Sequence, residues 1–93
     1  MVDHNGGNGI SIISCPENPR INHCNITYNA KIGIYIRACD DIIVSANKFE
    51  DNLDAVHVIK GYNLTMTGNN IDDHLRYGIV IENTYGSIIS PTW

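Results

Sequence analysis

Residues Gly33 to Asn52 read GIYIRACDDIIVSANKFEDN. Apolar and polar side chains alternate over GIYIR, and shorter apolar-centred runs follow at IIVS and KFE. Alternation with period two over short runs marks half-buried strands. Two acidic pairs, Asp40–Asp41 and Glu50–Asp51, interrupt the pattern. They are either a catalytic or calcium-binding cluster or a set of turns, and the choice depends on whether the stretch is unique.

It has relatives on both sides. GISIISCPENPRINHCNITYN spans Gly9 to Asn29, AVHVIKGYNLTMTGNNIDDH spans Ala55 to His74, and GIVIENTYGSIIS spans Gly78 to Ser90. Stacked, they give apolar columns. Ile10, Ile34, Val56 and Ile79 form one; Ile12, Ile36, Val58 and Ile81 a second; Ile21, Val44, Met66 and either Ile88 or Ile89 a third; Ile26, Phe49 and Ile71 a fourth. Cys24, Asn47 and Asn69 share a column, as do Asn29, Asn52 and His74. The spacing is 22 or 23 residues, stretched to 24 by the insert around Pro16–Pro19. A short repeat with several agreeing columns is the signature of a solenoid.

Composition points the same way. The 93 residues include twelve Asn and eight Gly, with many Ile and few of the long residues that fill helices. Ile, Val, Tyr and Thr suit strands, whereas Asn, Asp and Gly suit turns. The expected fold is all-β, a right-handed parallel β-helix of about four rungs with three short strands each. The rungs are expected over residues 9–32, 33–54, 55–77 and 78–93. Parallel strands would stack about 4.8 Å apart, with Asn47 above Asn69 as an amide ladder that satisfies the bending backbone.

The unit GIxIxxCxxIxVxxNxFxDN resembles the repeat of the pectate-lyase-like β-helix superfamily, over nearly the whole chain from about Asn8. That resemblance implies the β-helix fold and a polysaccharide lying along the outward face of the GIxI sheet. Members include pectate lyases, polygalacturonases, alginate epimerases, phage tailspikes and surface proteins. DAVHVIKG, Asp54 to Gly61, is similar to one polygalacturonase segment. Leu53 stands where its first acid would be, and Tyr77 stands where a histidine would follow one rung later. The acid pair needed for glycoside hydrolysis is therefore incomplete.

On the GIxI sheet the outward rows are Ser11, Tyr35, His57 and Val80, then Ile13, Arg37, Ile59 and Glu82. His57 is the leading acid–base candidate because imidazole titrates near neutrality. Asp54, in the turn that enters the GIxI sheet from the preceding NxF strand beside this outward face, and Arg37 complete the catalytic candidates. Tyr35, Lys60, His74, Arg76 and Glu82 are the substrate-binding candidates, since aromatic faces stack on sugar rings and Arg or Lys pairs with uronate carboxylates. Each has a plain counterpart: Tyr35 suits any strand, Arg37 and Glu82 suit any solvated face, and His74 sits in a turn column. Asp40–Asp41 and Asp72–Asp73 fall at different places in the coil and read as turns. No metal and no cofactor is expected; calcium is the one alternative the carboxylate pairs leave open, and no specific motif such as an EF-hand-like loop supports it.

A net charge of −4 without a basic cluster excludes nucleic acid as an expected partner. No apolar run is long enough to span a bilayer, so no membrane partner is expected. Three cysteines without a CxxC spacing make neither a disulfide framework nor a zinc site. Two function classes stay open. One is a carbohydrate-active or carbohydrate-binding β-helix, in the lyase, hydrolase or epimerase range if catalytic. The other is a structural or adhesion β-helix. Four units approach the minimum for a repeat fold, so the chain reads as a segment of a longer β-helix or as one that self-associates through its ends. An extracellular, cell-surface or virion-surface location is expected.

Overall fold

A computed structural model of the chain describes residues 1–15, 19–72, 74, 77–86 and 88–89. Among these lie twelve strands. The first sheet stacks β1 (Val2–Asp3), β4 (Asn25–Thr27), β7 (Lys48–Glu50) and β10 (Asn70–Asp72). The second stacks β2 (Ile10–Ile13), β5 (Ile32–Arg37), β8 (Asp54–Ile59) and β11 (Tyr77–Glu82). The third stacks β3 (Arg20–Asn22), β6 (Ile43–Ser45), β9 (Thr65–Thr67) and β12 (Ile88–Ile89). Every pairing is parallel, and strands adjacent in a sheet are three apart in the chain. The chain therefore coils through about three turns of a three-sided solenoid.

The register reproduces the sequence columns. Ile10, Ile34, Val56 and Ile79 pair in series, as do Ile12, Ile36, Val58 and Ile81. Ile21, Val44 and Met66 lead to Ile89, which resolves the choice between Ile88 and Ile89. Ile26, Phe49 and Ile71 are preceded by Val2. β1 thus lies ahead of the first expected unit. Ile26, Ile34, Ile36, Val44, Phe49, Val56, Val58 and Met66 have no solvent exposure. Burying each such side chain contributes roughly 1.5–3 kcal/mol.

Bending a β-chain around three corners needs residues in the left-handed conformation. They recur in columns: His4, Tyr28 and Asp51; Ser14, Ala38, Lys60 and Asn83; His23, Ala46 and Gly68. Each non-glycine among them costs about 1–2 kcal/mol. The residue after each bend then bridges rungs. After the first sheet, Asn5 Nδ2 donates to Asn29 Oδ1 at 2.8 Å, Asn29 Nδ2 to Asn52 Oδ1 at 2.8 Å, and the Asn52 amide N–H to His74 Nδ1 at 3.2 Å. After the third sheet, the Cys24 N–H donates to Asn47 Oδ1 at 2.9 Å, and Asn47 Nδ2 to Asn69 Oδ1 at 3.2 Å. The expected Asn47–Asn69 ladder is present, with a second, longer one beside it.

The ladder also explains the glycine that opens the GIxI strand. A Cβ on Gly33 would lie 2.6 Å from the Ala55 carbonyl oxygen and 3.1 Å from Asn52 Nδ2. A side chain there would push into the next rung.

Candidate functional site

The pleat of the second sheet turns residues 34, 36, 56 and 58 inward and 35, 37, 57 and 59 outward. Tyr35 pairs with His57 in register, and Arg37 with Ile59. The Tyr35 and His57 rings meet edge to face, with centroids 5.8 Å apart and planes at 80°. His57 Nε2 lies 3.7 Å from Glu82 Oε2 on the next rung. That is within Coulombic reach if the imidazole is protonated but too long for a hydrogen bond. Both ring nitrogens of His57 are shielded from solvent and have no hydrogen-bond partner among the described residues. Glu82, Arg37 and Ser11 are exposed.

Other candidates lie elsewhere. Asp54 belongs to β8 and is fully buried, opposite Ile32 in β5 and Tyr77 in β11. It is engaged within the chain. The expectation that Asp54 stands in a solvent-facing turn is therefore corrected: alternation along β8 puts residue 54 in phase with Val56 and Val58, on the inward side. His74 terminates the amide ladder through Nδ1, so it acts in the corner and not on the face. Arg76 and Asp73 lie outside the described residues. Lys60 is exposed but sits at the bend after β8, with a φ of 56°.

Lys60 instead borders an open cavity of about 370 Å³, lined also by Cys15, Ala38, Cys39, Asp40 and Tyr62. Asp40, Tyr62 and Tyr85 form a column in the link between the second and third sheets. The two tyrosines stack with centroids 5.6 Å apart and stay 52% and 63% exposed, an aromatic pair open to a ligand. This pair was missed by sequence reasoning, although its spacing of 23 residues equals the repeat. Asp41 and Asn63 take the left-handed conformation beside it, and Asn63 Nδ2 donates to Asp41 Oδ1 at 3.0 Å. Asp41 is a turn residue.

Among the described residues, Tyr28 and Cys39 are perturbed. The Asp51 carboxylate, through its charge and a hydrogen bond, pushes the Tyr28 hydroxyl above its ordinary range. Burial pushes the Cys39 thiol up. Tyr28 also stacks on His4 at the first corner, with centroids 5.2 Å apart.

Three parallel sheets wound into one coil, with interior ladders at the bends, define a β-solenoid. The chain belongs to the right-handed beta helix family, whose sequence pattern matches residues 2–90. This agrees with the pectate-lyase-like repeat. Comparison with curated proteins and with solved structures found no significant match.

Proposed function

We propose that the protein binds a polysaccharide along the outward face of β2, β5, β8 and β11. The observation that carries this reading is the row formed by Tyr35, His57 and Arg37. The edge contact with His57 supports the Tyr35 ring on the sheet. Arg37 follows two residues later on the same face, about 7 Å along the strand. That spacing suits one sugar unit: a pyranose ring against Tyr35 and a carboxylate or hydroxyl on Arg37. Lys60 and the exposed Tyr62–Tyr85 pair lie past the bend that ends this sheet, in the link to the third sheet.

Binding is favoured over cleavage. A general acid or base must reach the substrate, whereas the His57 nitrogens are shielded and Asp54 is fully buried. The test is a panel of soluble neutral and acidic polysaccharides, including polygalacturonate and alginate. Binding is measured by affinity electrophoresis, and cleavage by reducing-end and unsaturated-product assays. The expected result is retention by at least one glycan without product. Retention should fall at least tenfold in the Tyr35→Ala/Arg37→Ala double variant, the loss of about 1.4 kcal/mol of binding. Absence of binding to every glycan would assign the chain to the structural class instead.

A further inference from the structure

The corner after the second sheet carries Cys15, Cys39, Gly61 and Thr84 in successive rungs. Its column position corresponds to that of the asparagines at the other two corners. The Thr84 hydroxyl accepts from the Gly61 N–H at 3.4 Å, and the Cys39 thiol accepts from the Cys15 N–H at 3.3 Å. Sulfur is a weak acceptor, so a hydroxyl or an amide would fill this hydrogen-bonding role better. What two thiols in consecutive rungs add is the capacity to form a covalent bond.

The geometry permits that bond. The Asp40 N–H donates to the Cys15 carbonyl and the Ser14 N–H to the Arg37 carbonyl, so the two rungs run in register through the corner. Parallel neighbours lie about 4.8 Å apart, inside the 4.4–6.8 Å range of Cα separations that a disulfide spans. Cys15 is half-buried, Cys39 is buried, and both line the 370 Å³ cavity, which opens to solvent. A small reagent can therefore reach the pair.

We propose that Cys15 and Cys39 are an oxidisable pair that closes to a disulfide by exchange with a low-molecular-weight disulfide, stapling two successive turns beside this cavity. The Cys15 thiolate attacks one sulfur of the reagent, forms a mixed disulfide and expels one thiolate. The Cys39 thiol then loses its proton and attacks Cys15 Sγ, which expels the second thiolate. One reagent disulfide is reduced to two thiols, and the two protein thiols are oxidised to one disulfide.

Cys24 provides an internal control. It lies at a different corner, its N–H bonds to Asn47, and its thiol donates to the Asn22 carbonyl at 3.2 Å. Trypsin separates the three cysteines, because cleavage after Arg20, Lys31, Arg37 and Lys48 puts them in peptides 1–20, 21–31 and 38–48. The purified chain is equilibrated in glutathione buffers of graded ratio, quenched, alkylated, digested and read by mass spectrometry.

The expected product is peptide 1–20 joined to 38–48 and two hydrogens lighter than their sum, with Cys24 alkylated or carrying glutathione. The 24-residue loop closed by this bond should raise the melting temperature by about 10 °C. Reductant should reverse the rise, Cys24→Ser should retain it, and Cys15→Ser should abolish it. The proposal is overturned if Cys15 and Cys39 stay separately alkylated or separately glutathionylated, or if either pairs with Cys24. A cross-link without a thermal shift would overturn the stapling role.

Discussion

At the corner after β6 and β9, the bends at Ala46 and Gly68 are followed by Asn47 and Asn69; at the corner after β5, β8 and β11, those at Ala38, Lys60 and Asn83 are followed by Cys39, Gly61 and Thr84. The backbone problem is the same in both places, because a coil that turns sharply leaves amide groups without a ladder partner. An asparagine answers it in both directions. Asn47 accepts from the Cys24 N–H below, and its Nδ2 reaches the Ile21 carbonyl below at 2.8 Å and Asn69 above. The Cys39 thiol and the Thr84 hydroxyl each accept one long bond from the neighbouring rung, their closest donated bonds stay within their own rung at the Arg37 and Glu82 carbonyls, and Gly61 has no side chain to offer. The amide corner is closed, with Asn47 and Asn69 buried. The other corner borders an open cavity.

The largest expected effect tests that contrast directly. Asn47→Ala strands the Cys24 N–H, the Ile21 carbonyl and one bond of Asn69, and should cost about 3 kcal/mol. Thr84→Val removes the 3.4 Å bond from the Gly61 N–H and an exposed 3.0 Å bond to the Glu82 carbonyl at a half-buried position, and should cost about 1 kcal/mol. Urea denaturation of both variants gives the comparison. Equal losses would mean that the amide ladder is no stronger than the mixed corner.

A smaller effect is expected where the other amide ladder ends on a histidine. His74→Ala removes the acceptor for the Asn52 N–H and should destabilise by about 1–2 kcal/mol. His74→Asn continues the column with another amide and should recover most of that loss. Recovery in urea midpoints would identify His74 as a rung of the ladder; failure to recover would show that the imidazole contributes through other contacts.

These ladders also mark how far the sequence could be read. Columns such as Ile34–Val56 and Phe49–Ile71 were legible because each recurs at the repeat spacing and each must be apolar. β1 was not, since Val2–Asp3 is too short to show alternation and only its pairing with Ile26 and Thr27 reveals it. Asp54 was misread because Asp usually marks a turn. Its spacing of 22 residues from Ile32 already put it in an inward column, but residue type outweighed position. The outward direction of Tyr35 and His57 was legible from parity alone. The shielding of both imidazole nitrogens was not, because it depends on which side chains stand on neighbouring rungs, and outward residues do not repeat.

The bend residues allow a finer test. Ala46 and Gly68 occupy the same left-handed column, and a Cβ on Gly68 would meet nothing closer than 4.0 Å. Backbone preference therefore dominates both exchanges. Ala46→Gly should stabilise by about 0.5 kcal/mol, the left-handed penalty less the extra entropy lost by glycine. Gly68→Ala should destabilise by a similar amount. Differential scanning calorimetry of the pair should give opposite shifts, and shifts of the same sign would mean that packing, not conformation, governs this corner.

The smallest effect belongs to the thiol corner. Burial raises the Cys39 thiol above its value in the unfolded chain, so the unfolded state releases its proton first as pH rises. The stability difference is fully present below the unfolded value of about 8.5 and is lost as pH climbs through the folded value. Urea midpoints of the reduced protein should therefore decline on the alkaline side. Tyr28, also raised, adds to the decline closer to its own ordinary range. Cys39→Ser keeps a small acceptor in the column without a group that ionises in this window, and should flatten the earlier part of the fall. An unchanged profile in Cys39→Ser would show that the thiol is not isolated enough from water for burial to matter. It would also show that the thiol corner is more open to solvent than the burial of Cys39 suggests.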